Sequence, residues 1–194
     1  MSISLVVGLG NPGRQYEHTR HNLGWVALDA YASKHGLAWR SAPEFESLVA
    51  RTELARGQPL WLAKPQTFMN ESGRAASALA RYQKLPPGAV AAVYDDLTID
   101  LGLIKVSVSG GDAGHNGVSS LLQHLGSGFT RFRLGTGPKQ PPEMDIRDFV
   151  LARFNSDQLT LIKQKTDTYV QGLELLLAGG ADRAMNQLNR RDLP

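Results

Sequence analysis

The chain is predicted to be an α/β protein with three layers, a sheet between two sets of helices. Two patterns carry this. Short apolar runs recur at 3–9, 90–94 and 103–108, each bounded by Gly, Pro or Asp. Between them lie stretches whose apolar residues recur at helical spacing. No internal repeat or linker-like composition break interrupts the 194 residues, so 1–194 is read as a single domain.

The elements follow in order. Ile3 to Leu9 is a buried strand. Leu23, Val26, Ala27 and Ala30 mark a helix face, with Gly36 placed as its C-terminal stop. Ser47 to Glu53 and Leu60 to Ala63 are strands joined through the turn residues 56–59. Asn70 is placed to cap a helix carrying Ala75, Ala76, Leu79 and Ala80, which Pro86-Pro87 ends. Val90 to Tyr94 is a buried strand running into Asp95-Asp96. Leu103 to Val108 alternates as another, and a Gly-rich loop leads to a short helix over 118–125. Arg131 to Leu134 is a strand. Asp157 to Ala178 is a long helix with Leu159, Ile162, Tyr169, Leu173 and Leu176 inward, and Asp182 to Asn189 a last one. The Pro-rich segment 137–143 is expected to be a mobile surface loop.

Composition narrows the classes. No apolar run approaches the roughly 20 residues that cross a bilayer. The start, Met1 to Val7, lacks a basic n-region and reads as a strand, not a signal peptide. The chain has no cysteine, which removes disulfides and thiolate chemistry and fits a cytoplasmic protein. A net charge of +3 permits a nucleic-acid partner.

Three small polar clusters follow apolar stretches: Gly10-Asn11-Pro12-Gly13 with Thr19-Arg20-His21-Asn22, then residues 67–73, then residues 110–117. Each brings an asparagine, whose amide both donates and accepts hydrogen bonds. Gly8 to Gly13 matches a G-x-G-x-x-G dinucleotide fingerprint by letter, but no apolar helix stripe follows in 14–20, so it is read as a tight turn. His21 lies in a polar cluster before a helix, whereas His18, His35 and His124 read as solvated. Asp95 and Asp96 end an apolar strand, where ligands of α/β sheets gather. Lys105, Arg131, Arg133 and Lys139 are candidates for a phosphate patch or a scatter of solvated charges. There is no G-x-S-x-G elbow, H-E-x-x-H or P-loop, and no metal-ligand spacing stands out. General-base activation of water, without metal or covalent nucleophile, is the chemistry left.

Taken together and in order, Gly8 to Gly13 with Tyr16, Thr19 to Asn22, Phe68-Met69-Asn70 with Ser72-Gly73, Asp95-Asp96-Leu97, and Gly114-His115-Asn116-Gly117 resemble the bacterial peptidyl-tRNA hydrolase family. The resemblance runs from about Leu5 to Val150. It implies a monomeric α/β protein with a twisted mixed β-sheet flanked by helices. It also implies hydrolysis of the ester joining a peptide to the terminal ribose of tRNA, without cofactor or metal. By motif, His21 would be the general base and Asp95 its orienting carboxylate. Asn11, Asn70 and Asn116 would hold the peptide and the attacking water, with Tyr16, Asn22, Phe68 and Met69 lining the cleft. Lys105 and Arg133 would contact tRNA phosphate. Ser107 departs from the family by standing where a second basic residue is often found, and Asp112 adds a negative charge to the Gly-rich loop. A non-catalytic RNA-binding relative of the same fold is one rival reading, and an unrelated metal-free amidase or nucleotide-binding protein is the other. The presence of His21, Asp95 and all three asparagines favours the enzyme.

Overall fold

The computed structural model describes residues 2–190; Met1 and 191–194 lie outside them. In chain order the elements are β1 (Leu5–Gly8), α1 (Leu23–Lys34), β2 (Arg40–Ala42), β3 (Ser47–Leu54), β4 (Gln58–Pro65), α2 (Ser72–Tyr82), β5 (Val90–Asp100), β6 (Ile104–Ser107), α3 (Asn116–His124), β7 (Thr130–Gly137), α4 (Ile146–Leu151) and α5 (Ser156–Leu188). The strands form one seven-stranded sheet in the order β2-β3-β4-β1-β5-β7-β6. β4, β1, β5 and β7 run parallel, and β2, β3 and β6 are antiparallel to their neighbours, so the sheet is mixed.

Period-2 alternation sends successive side chains to opposite faces. Val6, Ala91, Val93, Phe132 and Leu134 join Leu23, Leu28, Tyr31, Tyr169, Leu173 and Leu176 in the core under α1 and α5. Leu5, Val7, Ala63, Val90 and Ala92 join Ala76, Leu79, Val118 and Leu121 in the core under α2 and α3. Because both faces of β1 and β5 are covered, these strands read as unbroken apolar runs. β1 lies between β4 and β5, and all three run in one direction. The turns leaving β1 and β4 and the far part of β5 therefore meet at one end of the sheet, as ligand sites in α/β folds do.

The expected elements form, with informative differences. β5 does not stop at Tyr94 but continues through Asp95 and Asp96 to Asp100, paired with β7 and irregular between Asp96 and Asp100. Pairing with β7, not apolarity, keeps it extended. Asn70 does not cap α2: it sits in a one-turn 3₁₀ segment, Met69–Glu71, and Glu71 occupies the cap position without a side-chain bond. α2 ends at Tyr82, before the proline pair, where Lys84 takes a φ of 55°. The two C-terminal helices form one long element broken at Gly180, whose φ is 75°. Leu159 on its first turns is exposed, not inward. β2 and α4 are too short to have been anticipated from periodicity.

Gly24 shows how closely α1 meets the sheet. A Cβ there would lie 2.3 Å from the Val93 carbonyl oxygen and 2.7 Å from that of Leu9. Only a residue without a side chain lets the first turn of α1 rest on β1 and β5. Gly24→Ala should therefore destabilise the protein by about 3 kcal/mol through overpacking. In a thermal melt this should read as a fall of roughly 10 °C; an unchanged melting temperature would contradict the close approach.

Candidate active site

Burial of a carboxylate organises the site. Asp95 is 2 % exposed on β5, between hydrogen-bonded neighbours β1 and β7. Its Oδ1 lies 2.9 Å from His21 Nδ1 and 3.1 Å from His115 Nε2. A buried ionised carboxylate needs such donors. Burial pushes the Asp95 carboxyl upward, but the charges and hydrogen bonds of His21 and His115 outweigh it and hold the group well below the usual carboxylate range. Burial pushes His21 downward, while the Asp95 charge and hydrogen bond push it up, and the balance is a raised pKa.

The tautomers follow from the partners. His115 is the N-cap of α3, and its Nδ1 accepts the backbone N–H groups of Gly117 at 3.1 Å and Val118 at 3.3 Å. A nitrogen accepting two N–H groups carries no proton, so the proton of neutral His115 is on Nε2 and donates to Asp95. His21 meets the same oxygen with Nδ1, so its proton is there and Nε2 is the basic nitrogen. The rings are 4.7 Å apart, and Tyr94 packs edge-on against His115 at 4.9 Å.

His21, Asp95 and His115 also have their ligand atoms within 4.8 Å of one another, a grouping the sequence did not suggest. The donor set does not suit a cation. Both imidazoles present N–H groups, not lone pairs, to the carboxylate, and His115 could turn its lone pair inward only by giving up the cap of α3.

The loops around this triad are cross-braced. Asn22 spends its amide on Asn11: Oδ1 accepts the Asn11 N–H at 2.8 Å and Nδ2 donates to the Asn11 carbonyl at 2.9 Å. Asn22, expected to line the cleft, is thus buried behind it and absent from its lining. Asn11 Oδ1 in turn accepts the Met69 N–H at 2.8 Å, joining the turn after β1 to the one after β4. Its amino group is engaged by none of the described residues. Arg20 is buried and lies 4.3 Å over the Phe149 ring, donating to the Ala152 carbonyl at 3.1 Å and the Arg153 carbonyl at 3.3 Å. It ties the segment bearing His21 to the end of α4.

A cleft of about 1050 Å³ opens over the triad. Asn11, Asn70 and Asn116 line it together with Tyr16, Phe68 and Met69. The three asparagines lie far apart in sequence, yet the turns after the parallel strands β1 and β4 bring Asn11 and Asn70 together, and the N-terminus of α3 adds Asn116. Phe68 is exposed and meets Tyr16 edge-on at 6.5 Å. Ile146, Arg147, Val150 and Leu151 of α4 form part of the wall. His18, His35 and His124 are exposed, as expected.

The basic residues separate into different roles. Lys105 and Arg133 are register partners on β6 and β7, and Arg133 lines the cleft. Arg131 is buried and donates to the carbonyls of Gly110 and Gly111, so it supports the Gly-rich loop. Lys139 donates to the carbonyls of Pro142 and Met144 within its own loop. The four-cation patch is therefore reduced to Lys105 and Arg133. Sequence reading placed His115 in a motif but gave it no role in the site. The signal was a histidine at a helix cap opposite a strand-end carboxylate. Strand position alone does not reveal the partners that separate Arg131 from Arg133.

Comparison with known proteins shows the family. The family model described as "Peptidyl-tRNA hydrolase" matches residues 5–194. The chain is 38% identical to a protein named peptidyl-tRNA hydrolase from Gloeobacter violaceus, over 98% of this chain and 96% of that one. It is 42% identical to the protein of that name from an Anaeromyxobacter species, with 97% of each covered. The crystal structure of peptidyl-tRNA hydrolase from Acinetobacter baumannii superposes with a TM-score of 0.88 at 34% identity, covering 96% of this chain and 94% of that one. Sequence, fold and the convergence of the motifs place the chain in the peptidyl-tRNA hydrolase family.

Proposed function

We propose that the chain hydrolyses the ester between a peptide and the terminal ribose of tRNA, with His21 as general base toward water. The observation that carries this reading is the His21 Nδ1–Asp95 contact of 2.9 Å beneath a cleft lined by three asparagines. His21 Nε2 takes a proton from a water as its oxygen adds to the ester carbonyl carbon. The tetrahedral intermediate then expels the ribose oxygen, which receives the proton from His21. Asp95 stays ionised, holds the imidazole in the productive tautomer and stabilises the imidazolium. His115 acts through Asp95 by adding a second donor to the same oxygen. Asn11, Asn70 and Asn116 are amide groups suited to the peptide backbone and to the developing oxyanion. No step in this scheme requires a metal ion.

Phosphates of the acceptor stem fall to Lys105 and Arg133, and the partner is peptidyl-tRNA acted on by a monomer. No helix of the described residues is long and apolar enough to cross a membrane. The defining experiment is release of free peptide from peptidyl-tRNA with chelator present. Peptide release is expected, and its absence would contradict the reading.

His21→Ala should lower turnover by about 10²–10⁴-fold, the usual worth of a positioned base, while tRNA binding survives. Near-normal turnover in a folded variant would remove His21 from the mechanism. The active form of His21 is neutral, and its pKa is raised by Asp95. Activity should therefore fall as pH drops through a value above the ordinary histidine pKa of about 6.5. Asp95→Asn should move this acid limb to lower pH and lower the plateau. An acid limb in the same place for both proteins would separate Asp95 from the base.

Asn70→Ala should weaken productive binding of peptidyl-tRNA more than binding of deacylated tRNA, because only the former brings the peptide amide. Equal losses for both would move Asn70 away from the peptide. For tRNA itself, Lys105→Ala should flatten the dependence of log affinity on log salt by about one unit or less. A slope equal to wild type would place the phosphate elsewhere.

A further inference from the structure

Asp96 follows the orienting carboxylate directly, and successive side chains on a strand point to opposite sides of the sheet. Its two oxygens have different partners. Oδ1 accepts the Thr98 N–H at 2.8 Å and the Thr98 hydroxyl at 2.6 Å. Oδ2 meets Arg133 Nη1 at 3.2 Å. Thr98 thus anchors the carboxylate through two short bonds, while the arginine is held by one longer contact. The pair is largely sheltered, with 12% of the Asp96 side chain and 28% of the Arg133 side chain exposed. Both residues line the cleft. The remaining neighbours of Arg133 across the sheet are Tyr94 on β5 and Lys105 on β6.

Of the four candidate phosphate cations, Arg133 is one of two left once Arg131 and Lys139 are committed to backbone carbonyls, and Arg147 on the α4 wall is a further cation of the cleft. The position diagonal to it, opposite Arg131, holds Ser107 and adds no charge. A phosphate reaching Arg133 must therefore share that cation with an anchored carboxylate. We infer that Asp96 is a specificity-determining residue that limits tRNA affinity by occupying Arg133 as an internal counter-ion. This rests on the phosphate role of Arg133 proposed above. Because Thr98 holds Asp96 in place, binding of phosphate leaves the carboxylate close by as a repelling charge. The consequence is a substrate and product held loosely at this end of the cleft, which favours release of deacylated tRNA.

The test is a salt titration of deacylated tRNA affinity for wild type, Asp96→Asn, Arg133→Ala and the double variant. Asp96→Asn keeps an oxygen for Thr98 and removes the charge. It should bind tRNA roughly two- to fivefold more tightly at moderate salt. Its slope of log affinity against log salt should steepen by up to about one unit. Asp96→Ser, which gives up the Thr98 contacts but removes the same charge, should steepen the slope likewise; damage to the fold alone would not. In the Arg133→Ala background the Asp96→Asn change should have no such effect. A flatter slope in Arg133→Ala together with unchanged or weaker binding in both Asp96 variants would overturn the inference alone. An Arg133→Ala slope equal to wild type would overturn it together with the phosphate role of Arg133, whereas peptide release by wild type tests the hydrolytic reading separately.

Discussion

One oxygen of one buried carboxylate fixes two imidazoles at the candidate site. Asp95 Oδ1 receives an N–H from His21 on one side and from His115 on the other. An ionised carboxylate without donors at this depth would be strongly destabilising; with two imidazole N–H groups it stays ionised. The two histidines are bound to it in opposite senses. His115 has its Nδ1 turned away to cap α3, so it can only donate through Nε2. His21 donates through Nδ1, so its Nε2 is the nitrogen available to the cleft. The same carboxylate that holds the ring also raises its basicity.

The fold delivers these groups because three parallel strands end together. β1 leads into Asn11 and, beyond it, the segment carrying His21. β4 leads to Met69 and Asn70, and β5 carries Asp95. Close helix packing keeps the ends in register: Gly24 places α1 against the Leu9 and Val93 carbonyls, and a Cβ on Gly117 would lie 2.5 Å from Met69 Sδ. Asn22 and Asn11 then join the turns by hydrogen bonds that use backbone on one side and side chain on the other.

The central strands and main helices were legible in the sequence because burial on both sheet faces leaves apolar runs, and helix faces leave a 3.6-residue period. β2 and α4 were not, because three and six residues are too few for either period to register. Leu159 lay on the expected stripe but is exposed, while Ile162 less than a turn further on is buried. At the site, the strand-end Asp95 and the polar cluster of His21 were visible as separate features. Their contact depends on the parallel pairing of β1 and β5, which no local pattern encodes. Asn22 looked like a cleft residue and proved to be a brace, while His115 looked like part of a loop and proved to be a partner of Asp95. Arg131 and Arg133 are two residues apart on one strand, yet one grips a loop and the other meets Asp96. Such differences arise from partners distant in sequence.

The central claim is that Asp95 and the α3 cap impose opposite tautomers on two adjacent histidines. Long-range ¹H–¹⁵N NMR of the histidine side chains, recorded where the rings are neutral, reads this directly. The prediction is a protonated Nδ1 with a bare Nε2 in His21, and a bare Nδ1 with a protonated Nε2 in His115. Finding the proton of His21 on Nε2, or that of His115 on Nδ1, would contradict the account.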